Sequence, residues 1–65
     1  MRYICTIVYC WLEGDIKIWD EIDVIVDYSH MEEFPIEIKA VNKFNSIFTG
    51  EYKFVFCAKV REKDQ

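Results

Sequence analysis

The chain reads as an α+β domain, a three-stranded antiparallel sheet with one helix packed on one face, in the order β-β-α-β. Three observations carry this reading. Tyr3 to Leu12 is an apolar run of strand length, broken only by Thr6. Residues 16–27 alternate apolar and charged side chains, the period of a half-buried strand. Ile36, Ala40, Phe44 and Phe48 recur at every fourth position, the period of one helical stripe.

The first strand, over about residues 2–12, is apolar on both faces, because successive strand side chains point to opposite sides. One helix shields one side of a small sheet, so the other face needs cover from outside the chain. Glu13-Gly14-Asp15 ends the strand, and Gly14-Asp15 suits a two-residue type II′ turn. The second strand then spans about residues 16–27, with Ile16, Ile18, Ile22, Val24 and Val26 on one side. Trp19 and Asp20 break the alternation, and a bulge there accounts for both.

With Gly14 and Asp15 as the central turn residues, Trp11 lies opposite Ile18, Ile7 opposite Ile22, Cys5 opposite Val24 and Tyr3 opposite Val26. Tyr3, Cys5, Ile7, Tyr9 and Trp11 then face the core. Ile4, Val8, Cys10, Leu12, Trp19 and Ile25 are left on the far side. A three-residue loop would exchange the faces of the first strand, but either register leaves an apolar stripe uncovered, with Trp19 its largest candidate contact.

Ser29 and Glu32 form a capping-box pattern, and Pro35 is tolerated only near a helix start, which places the helix at about residues 31–48. Thr49-Gly50 stops it. The last strand, about residues 51–61, puts Tyr52, Phe54, Phe56, Ala58 and Val60 on one face, with the three aromatics receiving the helix, and Arg61–Gln65 reads as a solvated tail. All 65 residues belong to one small domain, without repeats or linkers.

Charge is unevenly spread. Residues 1–37 carry nine acids against Arg2 and Lys17, a balance of −7, whereas residues 38–65 carry +3, making −4 in all. The acidic part repels a phosphate backbone and attracts a basic cleft. Hydrophobic content of 52% excludes a disordered chain. The apolar opening lacks a small-residue cleavage site and is far shorter than the ~20 residues that span a bilayer, so a cytoplasmic protein is expected. Cys5, Cys10 and Cys57 have no metal-ligand or disulfide spacing and read as small hydrophobes.

The catalytic inventory is poor. His30 is the only histidine, its neighbour Ser29 is a cap, the carboxylates form solvated ladders, and two glycines make no phosphate loop. No catalytic residue, metal or cofactor is expected. A binding module remains, with an apolar stripe ringed by acids.

The layout resembles the Dmd family of T-even-type phage antitoxins, on Trp11 at the end of an apolar first strand, Glu21-Ile22 in the second, Val41-Asn42-Lys43 in the helix and Cys57 in the last strand. The chain departs from that pattern at the helix start, where Phe34-Pro35 stands in place of a tryptophan, and in having one cysteine in the last strand. The resemblance implies a stoichiometric inhibitor in the host cytoplasm. Its partner would be an RnlA- or LsoA-type endoribonuclease toxin, whose substrate groove it occupies, protecting phage mRNA. It also implies the contacts: Asn42 as the specific polar one, Phe34 as apolar anchor, and Glu32, Glu33 and Glu37 as charge. The competing expectations are a homodimeric accessory protein that binds another host enzyme, and a small RNA-binding domain.

Overall fold

The strand that is apolar on both faces takes the centre of the sheet. In the computed structural model, which describes residues 1–63, β1 (Arg2–Glu13), β2 (Ile16–Asp27), α1 (Ile36–Ile47) and β3 (Phe54–Glu62) follow one another. The strand order is β2-β1-β3, antiparallel at both junctions. The α+β class and the β-β-α-β order are as expected.

The hairpin has the two-residue register. Trp11 pairs with Ile18, Ile7 with Ile22, Cys5 with Val24 and Tyr3 with Val26. Gly14 has φ +64 and no other described residue has positive φ, the arrangement of a type II′ turn with glycine first. A Cβ at Gly14 meets nothing within 4 Å, so a side chain there costs backbone strain alone. Gly14→Ala is expected to lower stability by about 1–2 kcal/mol, read as a shift of the urea midpoint with unchanged slope.

The expected bulge at Trp19 and Asp20 is absent. Pairing runs without interruption through Cys10–Trp19 and Tyr9–Asp20. Asp20 keeps core-face parity but stays exposed because the helix does not reach it. Twelve helical residues span only ~18 Å, and twelve strand residues ~40 Å. The irregularity lies instead between β1 and β3, where Thr6 pairs with Lys59 but Ile7 with Cys57, so that Ala58 is the extra residue.

That bulge corrects the expected face of the last strand. Val55, Cys57 and Val60 pack on the core, whereas Phe54 and Phe56 lie on the far face and remain about half exposed. Of the three aromatics expected to receive the helix, only Tyr52 does, and it does so from the loop before β3. The last strand starts later than expected and continues to Glu62; Lys63 then donates its N–H to the Arg2 carbonyl at 3.0 Å. The rest of the expected tail, Asp64 and Gln65, lies outside the described residues.

The helix also starts later than expected, at Ile36 rather than Met31, with Pro35 as its N-cap. A residue before proline is kept out of the helical region, which bars Phe34. The capping-box pair closes a turn of its own: the Glu32 carboxylate accepts the Ser29 N–H at 2.8 Å and the Ser29 hydroxyl accepts the Met31 N–H at 3.2 Å. Cys5, Ile7, Val24, Val26, Ala40 and Phe44 make the buried centre.

Candidate functional site

Two surfaces, on opposite sides of the sheet, hold the residues singled out from the sequence. The first is the sheet face away from α1, which no element of the described residues covers. Trp19 of β2 and Phe54 of β3 both pair with Cys10 of β1, and their rings stack at 5.8 Å with an interplanar angle of 8°. A cysteine is small enough for the two rings to close over it, and Cys10 is fully buried on a face that no helix covers. Lys17 Nζ lies 5.9 Å from the Phe54 ring, where the π face attracts a cation.

Beyond Val8 and Phe56, two rows from Cys10, the residues of this face turn polar. The Thr6 hydroxyl donates to Asp23 Oδ1 at 2.6 Å, and the Arg61 guanidinium donates to Asp23 Oδ2 at 3.0 Å, so one network crosses all three strands. These bonds, the Thr6 one first, hold the Asp23 carboxyl below its ordinary value of 3.8. The face is therefore not uniformly acidic. Glu21 and Asp23 lie on β2 at one edge and Lys59 and Arg61 on β3 at the other, because the sheet order places the acidic and basic strands on either side of β1.

The second surface follows the helix. A groove of about 330 Å³ runs between α1 and β3, lined by Glu37, Ile38, Val41 and Asn42 from the helix and Val55, Phe56 and Cys57 from the strand. Glu37 and Asn42 thus meet at one place. Glu33 and Phe34 precede the helix and are exposed, and the Phe34 carbonyl accepts the Tyr28 hydroxyl at 2.6 Å, which fixes the approach to Pro35. Glu32 differs from its neighbours because its carboxylate is engaged, accepting from Lys39 Nζ at 3.0 Å as well as from Ser29. The Lys39 bond, then the Ser29 N–H, hold the Glu32 carboxyl below its ordinary 4.5.

The lysines of the helix turn away from this groove. Lys39 reaches back to Glu32 and Lys43 donates to the Ile25 carbonyl on β2. Phe34, Ile38, Glu33, Glu37 and Asn42 are left as the exposed groups around the helix start and its β3 side.

Comparison with protein-family models, characterised proteins and solved structures finds no match. The described residues contain no group of three His, Cys, Asp or Glu placed to hold a metal ion. Burial, and secondarily the neighbouring Cys57, push the Cys5 thiol up to about 11, so it is protonated and a poor nucleophile at neutral pH. His30 is exposed, and the Ser29 hydroxyl beside it is engaged with the Met31 N–H. Among the described residues no helix is long and apolar enough to cross a membrane.

Three contributors escaped the sequence reading. Phe54 and Phe56 were assigned to the core because the bulge at Ala58 leaves no mark in a run of apolar residues. Ile38 lies off the i, i+4 core row, and an exposed isoleucine between Glu37 and Lys39 was the available signal.

Asp23 and Glu32 also set an expectation for pH. Both have folded pKa values depressed by their partners, so their contribution to stability is complete above the ordinary values of 3.8 and 4.5 and is lost as pH falls through the lower folded values. The thermal midpoint is expected to fall below about pH 4.5 on their account, and Asp23→Asn with Glu32→Gln to flatten that limb.

Proposed function

We propose that this chain is a protein-binding inhibitor, not an enzyme, and that the surface around the start of α1 is what its partner contacts. The observation that carries the reading is the pairing of the helix lysines. With Lys39 held by Glu32 and Lys43 by the Ile25 carbonyl, the cationic groups of α1 are withdrawn. Glu33 and Glu37 then flank the exposed apolar Phe34 and Ile38, with Asn42 one turn further on. Apolar anchors beside unpaired acids suit a basic cleft on a protein.

A cleft that holds RNA has that charge. With the resemblance to the Dmd antitoxins, the partner is a host RnlA- or LsoA-type endoribonuclease toxin, in the cytoplasm, with the chain occupying its substrate groove. Asn42 supplies a directional polar contact, Phe34 and Ile38 the apolar one, and Glu33 and Glu37 the charge that displaces phosphates. Glu32 acts through Lys39, by keeping that ammonium away from the acids. Trp19, on the other side of the sheet, belongs to a different surface.

Cleavage of RNA by such a toxin, measured with and without equimolar protein, tests the reading. Inhibition is expected, weakening as salt rises; undiminished cleavage would refute it. Direct binding of oligoribonucleotides at moderate salt would instead favour a small RNA-binding domain.

A further inference from the structure

We propose that the open sheet face is the contact between two copies of this chain, stacked face to face about a two-fold axis that runs along β1. This goes beyond the inhibitor reading and does not rest on it, since the helix residues stay free in such a pair and Phe56 alone borders both surfaces.

The face is built for contact. Trp19, Phe54, Phe56, Leu12 and Ile25 are each 41–52% exposed on it, around the half-buried Ile4 and Val8. Isolated exposed hydrophobics are ordinary, but Leu12, Trp19, Phe54, Val8 and Phe56 form one apolar patch across three strands, bounded by the Thr6–Asp23–Arg61 network, and such a patch marks an interface.

The charges name the occupant. Glu21 and Asp23 lie on the β2 edge, Lys59 and Arg61 on the β3 edge, and the Asp23–Arg61 pair spans the face between them. Rotation by a half-turn about an axis along β1, in the plane between two stacked sheets, lays β2 of each copy over β3 of the other. Each acidic edge then meets the basic edge of the other copy, and the two Asp23–Arg61 pairs lie antiparallel. The same rotation sets the Trp19–Phe54 plate of one copy on that of the other. A two-fold axis across the strands lays β2 on β2 instead, acid on acid. A surface that is complementary to itself under one closed operation fits a second copy of the same chain.

Three strands about 4.8 Å apart, rising ~3.3 Å per residue, give the face a footprint of roughly 500 Å². A standard interface buries ~800 Å² per partner. The pair should therefore dissociate at concentrations on the order of micromolar.

Sedimentation equilibrium of the full chain between about 5 and 500 µM is expected to show a monomer–dimer equilibrium, with a blue shift of tryptophan emission on association that Trp19→Phe removes. Trp19→Glu and Phe56→Glu, both at exposed positions, should be monomeric throughout with unchanged far-UV circular dichroism. Glu21→Lys and Lys59→Glu should each weaken association about tenfold, and the two together should restore it. A chain monomeric at the highest concentration overturns the proposal, as does a dimer indifferent to both aromatic substitutions. Failure of the double charge reversal to restore association overturns the axis. If Trp19→Glu instead abolishes toxin binding by a monomeric protein, the face belongs to the toxin and the second copy is refuted.

Discussion

Phe44→Ala is expected to leave the chain without a cooperative thermal transition. Phe44 is fully buried and lies at the meeting point of the aromatic residues, with ring centroids 4.9 Å from Tyr9, 4.8 Å from Phe48 and 5.3 Å from Tyr52. These contacts tie α1 to β1 and to the loop before β3. Ala40, also fully buried, brings the helix close to the sheet but fills little volume. Truncating a buried phenylalanine costs about 3–5 kcal/mol, from lost transfer energy and the cavity left behind. A core of this size seldom supplies more than ~3–5 kcal/mol of net stability, so the substitution removes nearly all of it. The helix is the element that fails first, because twelve residues are too few to stand alone in water. Phe44→Leu keeps most of the volume and should fold, with a midpoint lower by several degrees. Circular dichroism at 222 nm against temperature distinguishes them; a cooperative transition retained by Phe44→Ala would show that the sheet does not depend on the helix.

The parts of this fold legible in the sequence are those where local chemistry and period agree. Gly14-Asp15 sets a two-residue loop, and once the loop is set, period-two alternation of β2 decides which side of β1 is core. The row Ile36, Ala40, Phe44, Phe48 likewise identifies the buried side of the helix without knowledge of its partner. The helix start was not legible, because Ser29 and Glu32 satisfy each other in a free-standing turn as readily as at a helix. The decisive residue is Pro35, extended at φ −62 and ψ 149 and therefore cap rather than first turn. The faces of β3 were hidden for a different reason. Residues 54–58 read Phe-Val-Phe-Cys-Ala, so both parities are apolar and the pattern favours neither. Only pairing with β1 places the bulge and turns Phe54 and Phe56 outward.

The same division holds for the candidate surfaces. Trp19 on the uncovered face follows from hairpin parity alone. Ile38 and Asn42 are neighbours by helical spacing, but their meeting with β3 depends on how the helix crosses the sheet. That Glu32 accepts from Ser29 is local and legible, but its pairing with Lys39, seven positions away and outside the helix's own span, is not. Charge totals mislead in the same way. The −7 and +3 of the two parts of the chain do not make two lobes, because β3 returns beside β1 and brings Arg61 to Asp23 across the sheet.

If the chain inhibits an RnlA- or LsoA-type toxin as proposed, Ile38→Glu is expected to abolish that inhibition while leaving the fold intact. Ile38 is 49% exposed and sits outside the buried cluster, so its replacement should change stability by no more than about 0.5 kcal/mol. At an interface the position is far more demanding. An apolar anchor at the centre of a contact is commonly worth 2 kcal/mol or more, and a carboxylate in its place must also be desolvated, so affinity should fall by about thirtyfold or more. The variant adds negative charge, which by long-range attraction to a basic groove would by itself strengthen encounter. Charge alone and anchored contact therefore predict opposite signs, and the substitution separates them. Asn42→Ala should lose less, about one hydrogen bond or 1 kcal/mol, and Glu37→Gln should mainly slow association and reduce its salt dependence. Titrating toxin cleavage with each variant gives the ranking. If Ile38→Glu inhibits as well as the parent chain, the helix–β3 groove is not the contact surface, whatever the partner.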